Sequence, residues 1–404
     1  MATYTRRETA HGPSFLIRSS CGYDASGRQI MRSMTWKPKP NMSAKAMEKE
    51  LQRQLVLFDE ECAGCGCSGN VKFETFSKTW FAEYAEKNLR KTTLNRTHQF
   101  EERTYKAIGH VRLDKLTTRH IQKFIIDLQK PGENKCKAQK GLSPKTVRNY
   151  LSYISSVLTY AKSMGMIKEN PCDNAILPAM NTKEKEIYTV TETIEFLEKL
   201  SSEPLKYQTF FILAIYGGFR RGELLGLEWK DIDYENNLVS IKRSSLSVRG
   251  EKPFTDTTKT KESCRTIKLP DIVFSVLKQL QNEQDGERKI LGENWVESDR
   301  LFTTWNGEPM RAETPRNWLV KFCKRTGMKY VSIHSFRHLN ATLLIGSGTD
   351  VRTVSAALGH STATTTLNIY SHAFAEQQAK ASEAIANTLN LHRKVRNEQT
   401  TNIL

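Results

Sequence analysis

The chain has 404 residues and carries 61 Lys and Arg against 44 Asp and Glu, a formal charge of +17. The length predicts two or three domains, and the charge surplus predicts a polyanionic partner, nucleic acid ahead of a membrane surface. No run of about 18 apolar residues occurs, which excludes a membrane-spanning helix. The opening MATYTRRETAHGPSF has no apolar stretch behind its arginines, which argues against a secretory signal. Eight irregularly spaced cysteines do not make a disulfide framework and point to a reducing, cytoplasmic setting.

Residues 1 to about 42 contain two β-prone runs, SFLIRSS and IMRSMTWKP, on either side of a turn carrying Asp24, Gly27 and Arg28. This pattern predicts a basic hairpin. From Ser43 to about Glu60, Met47, Leu51, Leu55 and Phe58 recur at helical spacing. The stretch ECAGCGCSGN over residues 61–70 reads as a linker. Its Cys62, Cys65 and Cys67 have no His or further Cys nearby to complete a tetrahedral metal site. Residues 1–70 thus form a small sheet-plus-helix domain and a linker.

Residues 71–178 read as all-helical. Phe76, Trp80, Phe81 and Tyr84 share one face, and Thr118 to Leu128 carries Ile121, Phe124, Ile125 and Leu128. Ser143 as N-cap with Pro144 in the first turn starts a helix through Val147, Tyr150, Leu151, Ile154, Val157, Leu158 and Ala161, which Gly165 ends. The loop PGENKCKAQKG holds Lys135, Lys137 and Lys140; it is either solvated surface or a phosphate contact. A second linker runs from Asn170-Pro171 to Lys185.

The third domain spans 179–392, with its folded part from about residue 186, and a polar tail covers 393–404. Thr191 is the expected cap of a helix with Ile194, Leu197 and Leu200 on its apolar face, and Tyr207 to Tyr216 is an apolar helix stopped by Gly217-Gly218. Leu238 to Lys242 and Cys264 to Leu269 read as strands with a basic hairpin between them, and helices dominate after Pro270. Near the end, Phe374, Ala381, Ile385 and Leu389 line one face of an Ala-rich helix that Gln378 interrupts.

The polar residues of this domain make a coherent chemical set. Arg220 lies in GGFRRGELLGL, Lys259 in TTKTKESCRTIKL, His334 and Arg337 in IHSFRH, His360 in LGHSTATTT and Tyr370 in LNIYSH. A tyrosine can attack phosphorus and store the bond energy as an ester. Arginine forks clamp phosphate oxygens and stabilise the charge that builds in the transition state. Lysine can protonate a departing 5′-oxygen, and histidine can take the tyrosine proton or orient the phosphate. The set brings positive charge without a carboxylate cluster for Mg²⁺, so neither a metal nor a cofactor is expected.

In this order, G-F-R-R-G-E-L-L-G-L, the T-K-T-K hairpin, H-S-F-R-H, L-G-H and I-Y-S-H over residues 215–375 resemble the boxes of the tyrosine recombinases, the phage integrase family. The whole chain resembles the three-part integrases of conjugative transposons and temperate phages. The resemblance implies a multidomain, mainly α fold: a small N-terminal sheet-plus-helix domain for arm-type DNA sites, an all-helical core-binding domain, and a mixed α+β, mostly helical catalytic domain ending in an exchange helix. It matches Arg220, Lys259, His334, Arg337, His360 and Tyr370 to the catalytic residues, Tyr370 as nucleophile, and Glu223 to a structural acidic position. Gly222 stands where many relatives carry serine, a small-for-small exchange expected to matter little. Lys261 lies two residues from Lys259 in the same hairpin, and either fits the lysine position.

The implied activity is site-specific cutting and rejoining of DNA through a 3′-phosphotyrosine, integrating and excising a mobile element without metal or ATP. The implied partners are double-stranded attachment sites of core and arm type and a homotetramer on DNA, with an excisionase and a host DNA-bending protein as accessory factors and no membrane. Arg18, Arg28, Arg32 and Trp36 of the hairpin and Lys135, Lys137 and Lys140 are the DNA-contact candidates. A type IB topoisomerase-like relaxer shares this chemistry, but the arm-like first domain argues against it. The full set of polar residues argues against an inactive DNA-binding regulator.

Overall fold

The structure, a computed structural model, describes residues 2–9, 12–23, 29–39, 42–63, 71–134, 139–180, 186–248, 250–257, 264–359, 362–364, 366–367, 370 and 382–389. Outside these residues lie several sequence expectations: the turn with Arg28, Cys65 and Cys67, Lys135 and Lys137, Lys259 and Lys261, His360, Phe374, Gln378, Ala381 and the tail 393–404. The chain divides into two compact units, Met1–Thr182 and Lys183–Leu404.

The first unit begins with a three-stranded antiparallel sheet, β1 (Thr3–Thr9), β2 (Gly12–Tyr23) and β3 (Gln29–Trp36), in the order β1-β2-β3. The hairpin expected from the sequence is β2–β3; β1 is an addition, since TYTRRET is too polar to announce a strand. Register sets the two faces. Phe15 pairs with Trp36, Ile17 with Met34 and Ser19 with Arg32. With Cys21, these positions face the helix Ala44–Ala63, and Phe15, Ile17 and Cys21 pack with Leu51, Leu55, Phe58 and Cys62. The helix runs beyond the expected Glu60, which makes Cys62 a core thiol rather than part of a linker. Burial, with Cys21 alongside, pushes the Cys62 thiol up to about 11.

The helical part of this unit is built around three segments. Phe73–Trp80 runs on into a π-helical turn, Phe81–Ala85; Phe76, Trp80 and Phe81 are buried, while Tyr84 is exposed. Thr118–Leu128 buries the four residues its spacing picks out. Pro144–Ser163 starts at Ser143, whose hydroxyl accepts from Thr146 N at 3.2 Å. The following chain is strapped to these helices. Ile176 N donates to Gln122 Oε1 at 2.9 Å, and an Arg148 Nη2–H donates to Pro178 O at 3.1 Å.

The second unit is mostly helical, with two small sheets among the described residues: β4 (Ile232–Asp233), β5 (Leu238–Ile241) and β8 (Arg265–Lys268) in one, β6 (Arg243–Leu246) and β7 (Phe254–Thr257) in the other. Its core gathers Phe196, Phe210, Phe211, Phe219, Phe302, Phe322 and Phe336, all at most 1% exposed. The helix Val190–Leu200 is capped by Thr189, not Thr191: Thr189 Oγ1 accepts from Glu192 N, and Glu192 Oε2 accepts from Thr189 N at 2.7 Å. That reciprocal capping box starts the helix two residues early. Its buried face is Thr193, Phe196 and Leu200, which leaves Ile194 exposed. Near the C-terminus, residues 382–388 are helical, with Ile385 and Leu389 exposed. No helix among the described residues is long and apolar enough to cross a membrane.

Candidate active site

The site begins where an apolar helix has to stop. Leu205–Gly217 ends at Gly218, a left-handed residue at φ +59. A Cβ on Gly218 would lie 2.5 Å from Asn340 Oδ1, so both conformation and space demand glycine. The reversal buries Phe219 and makes Arg220 the N-cap of the short helix Arg221–Gly226. Glu223, three residues on, accepts from Arg220 N at 3.0 Å. Arg221 is exposed on the far side, so of the two adjacent arginines Arg220 is the one turned into the site.

The Glu223 carboxylate, 3% exposed, holds two guanidiniums. Arg220 Nη1 donates to Oε1 at 2.7 Å and Arg265 Nη2 to Oε2 at 2.9 Å. Burial alone would raise this carboxyl, but the hydrogen bond and charge of Arg265, reinforced by Arg220, hold it below the usual carboxylate range. Arg337 approaches from the helix Ile333–Gly346 and is 2% exposed.

All three arginines also reach one helix end. Val351–Leu358 closes on left-handed Gly359, and its last carbonyls lack intrahelical partners. Arg265 Nε donates to Ala357 O at 2.7 Å, Arg337 Nη2 to Leu358 O at 2.5 Å and Arg220 Nη2 to Gly359 O at 2.9 Å. Arg337 Nη1 donates as well to Gly218 O at 2.9 Å. Burial, with Arg220 beside it, pulls the Arg337 guanidinium down to about 9 while Glu223 opposes; it stays charged at neutral pH.

Tyr370 is 7% exposed, packed among Ala341, Ile345, Val354 and Leu358. Its hydroxyl lies 2.7 Å from His338 Nδ1. Burial pushes the phenol up to about 12, against the pull of Arg337. His334, one turn before His338, is exposed, and the two imidazoles meet edge-on at 4.7 Å. The structure therefore brings Arg220, His334, Arg337 and Tyr370 into one neighbourhood; Lys259 and His360 are outside the described residues.

Two participants were not picked out from the sequence. His338, in the same IHSFRH box, is buried against the tyrosine hydroxyl. Its spacing of four from His334 and its place beside Arg337 were the available signals. Arg265 went unremarked, although the alternation R-T-I-K puts it on the same face of β8 as Ile267, toward the core. A Cβ on Gly222 would lie 2.3 Å from Ser244 Oγ, so a serine would have to displace that hydroxyl.

The DNA-contact candidates fall in different places. Arg18 is exposed on the sheet face away from the helix. Arg32 is on the helix side, half-buried, 3.7 Å from Glu61 and 4.0 Å from Asp114. Trp36 packs its ring 5.5 Å from Phe15. Lys140 is exposed in its loop.

Comparison with known proteins agrees across both units. The sequence model described as Phage integrase family matches residues 182–377, and that described as Phage integrase SAM-like domain matches residues 74–176. The tyrosine recombinase XerC-like protein of Caldanaerobacter subterraneus subsp. tengcongensis is 34% identical over 61% of this chain and 67% of its own length. The ICEBs1 integrase of Bacillus subtilis is 27% identical over 69% of this chain and 72% of its own. Among solved structures, the Tn1549 transposon integrase in complex with transposon right end DNA has a TM-score of 0.65 at 20% identity, covering 78% of this chain and 99% of that one. A lambda integrase tetramer bound to a Holliday junction has a TM-score of 0.53 at 16% identity, covering 88% and 91%. These two likenesses carry the fold.

The Glu223 bridge makes a prediction about stability. Glu223→Gln leaves two guanidiniums without their shared counter-charge and is expected to cost about 3–5 kcal/mol at pH 7 by chemical denaturation. Because the folded carboxyl sits below its ordinary 4.5, the wild-type advantage is complete above that pH and is lost as the pH falls through the lower folded value. A gap between wild type and variant that does not shrink in acid would contradict this.

Proposed function

The chain belongs to the phage integrase family of tyrosine recombinases, and on that premise we propose that Tyr370 is the nucleophile of a DNA-cutting centre charged by Arg220 and Arg337. The protein is a site-specific DNA recombinase, and DNA is its partner. The observation that supports the residue assignment is the Tyr370 hydroxyl held against His338 and acted on by Arg337, which shares one helix end with Arg220 and Arg265. Among the described residues, three guanidiniums against the Glu223 carboxylate leave a surplus of two positive charges, which a phosphodiester in transit would neutralise.

In this scheme Tyr370 Oη attacks the scissile phosphorus, forming a 3′-phosphotyrosine and releasing a 5′-hydroxyl. Arg220 and Arg337 hold the non-bridging oxygens. Lys259 or Lys261 from the hairpin delivers the proton to the 5′-oxygen, and His334 and His360 orient the phosphate. The 5′-hydroxyl of the partner duplex then attacks the phosphotyrosine, and two such rounds through a Holliday junction exchange the strands. One phosphodiester replaces another of similar energy, so the cycle needs neither ATP nor a metal.

The remaining assignments follow the same scheme. Residues 1–70 take arm-type sites, 71–178 the core site with Lys135, Lys137 and Lys140 near phosphates, and 179–392 the chemistry, within a homotetramer in the bacterial cytoplasm. The exposed Ile385 and Leu389 suit a terminal helix that packs on a neighbouring protomer. An excisionase and a host bending protein set direction. Within the first domain, the open sheet face with Arg18 fits a major groove better than the helix-facing side, where Arg32 and Trp36 are engaged within the fold.

Two outcomes test these roles. On a nicked duplex bearing the attachment site, with EDTA present, wild type is expected to form a covalent adduct, and Arg337→Ala to do so roughly 10²–10³ times more slowly at similar DNA affinity; adduct that requires added Mg²⁺ would contradict the scheme. Arg18→Ala is expected to weaken arm-site binding and to reduce the salt dependence by about one phosphate contact. An unchanged slope would move the arm contact to another face.

A further inference from the structure

The phenol that does the chemistry is buried, and burial makes it a poor nucleophile. Its proton must leave as the new bond forms, and among the described residues Arg337 and His338 act on the hydroxyl. Arg337, whose charge acts on the phenol, is a donor only. His334 faces outward, one turn away. His338 is itself buried, 6% exposed, and its Nδ1 lies 2.7 Å from the Tyr370 hydroxyl, with the ring centroids 5.6 Å apart. That is the reach required of a general base. His338 is buried on the helix Ile333–Gly346, and Tyr370 packs among Ala341, Ile345, Val354 and Leu358.

We propose that His338 is a catalytic residue, the general base that takes the Tyr370 proton. The inference rests on Tyr370 being the nucleophile. As Tyr370 Oη bonds to phosphorus, its O–H electron pair becomes the new P–O bond and the proton moves to the Nδ1 lone pair of His338. The bond from phosphorus to the 5′-oxygen breaks, and that oxygen leaves with a proton from the hairpin lysine. On religation the incoming 5′-hydroxyl gives up its proton, the P–O bond to tyrosine breaks, and the imidazolium returns the proton to Oη. His334 is then left to the phosphate, which its exposed position favours.

The test uses the full chain in single-turnover cleavage of a nicked attachment-site duplex. His338→Asn keeps a hydrogen-bond acceptor in the place of Nδ1 but cannot take up a proton; His338→Ala removes both. Each variant is assayed on ordinary DNA and on DNA with sulfur in place of the scissile bridging 5′-oxygen, which leaves without protonation. Both variants are expected to cleave at least roughly 100-fold more slowly on both substrates, with DNA affinity kept and the Asn variant melting near wild type. Cleavage by His338→Asn at near wild-type rate would reduce His338 to a structural partner and overturn the proposal. Rescue of the variants by the sulfur substrate would place His338 on the leaving-group side and also overturn it. Tyr370→Phe separates the premise: an adduct that survives in this variant removes the nucleophile assignment and the base with it. An adduct lost in Tyr370→Phe but retained in His338→Asn removes the base alone.

Discussion

The site depends on how three like charges are held side by side. Arginines 220, 265 and 337 come from three separate elements, and each donates to one of three consecutive carbonyls, those of Gly359, Ala357 and Leu358. A helix C-terminus is suited to this because its last carbonyls have no intrahelical partner and carry partial negative charge. Among the described residues, Glu223 supplies a full counter-charge, shared between Arg220 and Arg265. Carbonyl dipoles fix the forks without neutralising them, so the cluster is rigid and remains electropositive. That is the state a phosphate-binding centre requires before its substrate arrives.

The surrounding glycines serve that arrangement. Gly359 turns at φ +64 with Arg265 Nη1 so close that a Cβ would lie 2.9 Å from it. Gly218 turns at φ +59 and presents its carbonyl to Arg337. Asn340, one turn beyond Phe336 on the helix that carries Arg337, donates to Ile215 O at 2.8 Å and Tyr216 O at 2.9 Å. It thereby locks the end of the apolar helix to the helix of the H-x-x-R box. Two boxes far apart in sequence are joined by hydrogen bonds to backbone, which explains why L-G-H and G-F-R-R have the character of structural punctuation as well as chemistry.

The helices and the ordered boxes were legible because both depend on local pattern. Apolar spacing located Thr118–Leu128 and Pro144–Ser163, and Ser143-Pro144 announced its cap. Motif order placed Arg220, Arg337 and Tyr370 together. The misreadings have physical causes. Thr189 and Thr191 both precede an apolar run, and only the reciprocal bond with Glu192 selects the first. β1 is held by cross-strand pairing with β2, and its own residues carry no strand signal. Arg32 and Trp36 looked like groove contacts because a hairpin of unknown register has two equivalent faces, and the helix covering one of them is a tertiary fact. Arg265 and His338 act through partners more than thirty residues away, a relation that spacing along the chain does not encode.

In the proposed scheme the family's strand-exchange chemistry rests on a preorganised cation cluster and a buried phenol paired with an imidazole. The most direct test is to trap the covalent complex on a nicked attachment-site duplex, digest it with protease and sequence the peptide that carries the nucleotide by mass spectrometry. The account expects the nucleotide on Tyr370, within the segment that follows the Val351–Leu358 helix. A nucleotide attached to any other tyrosine would contradict it.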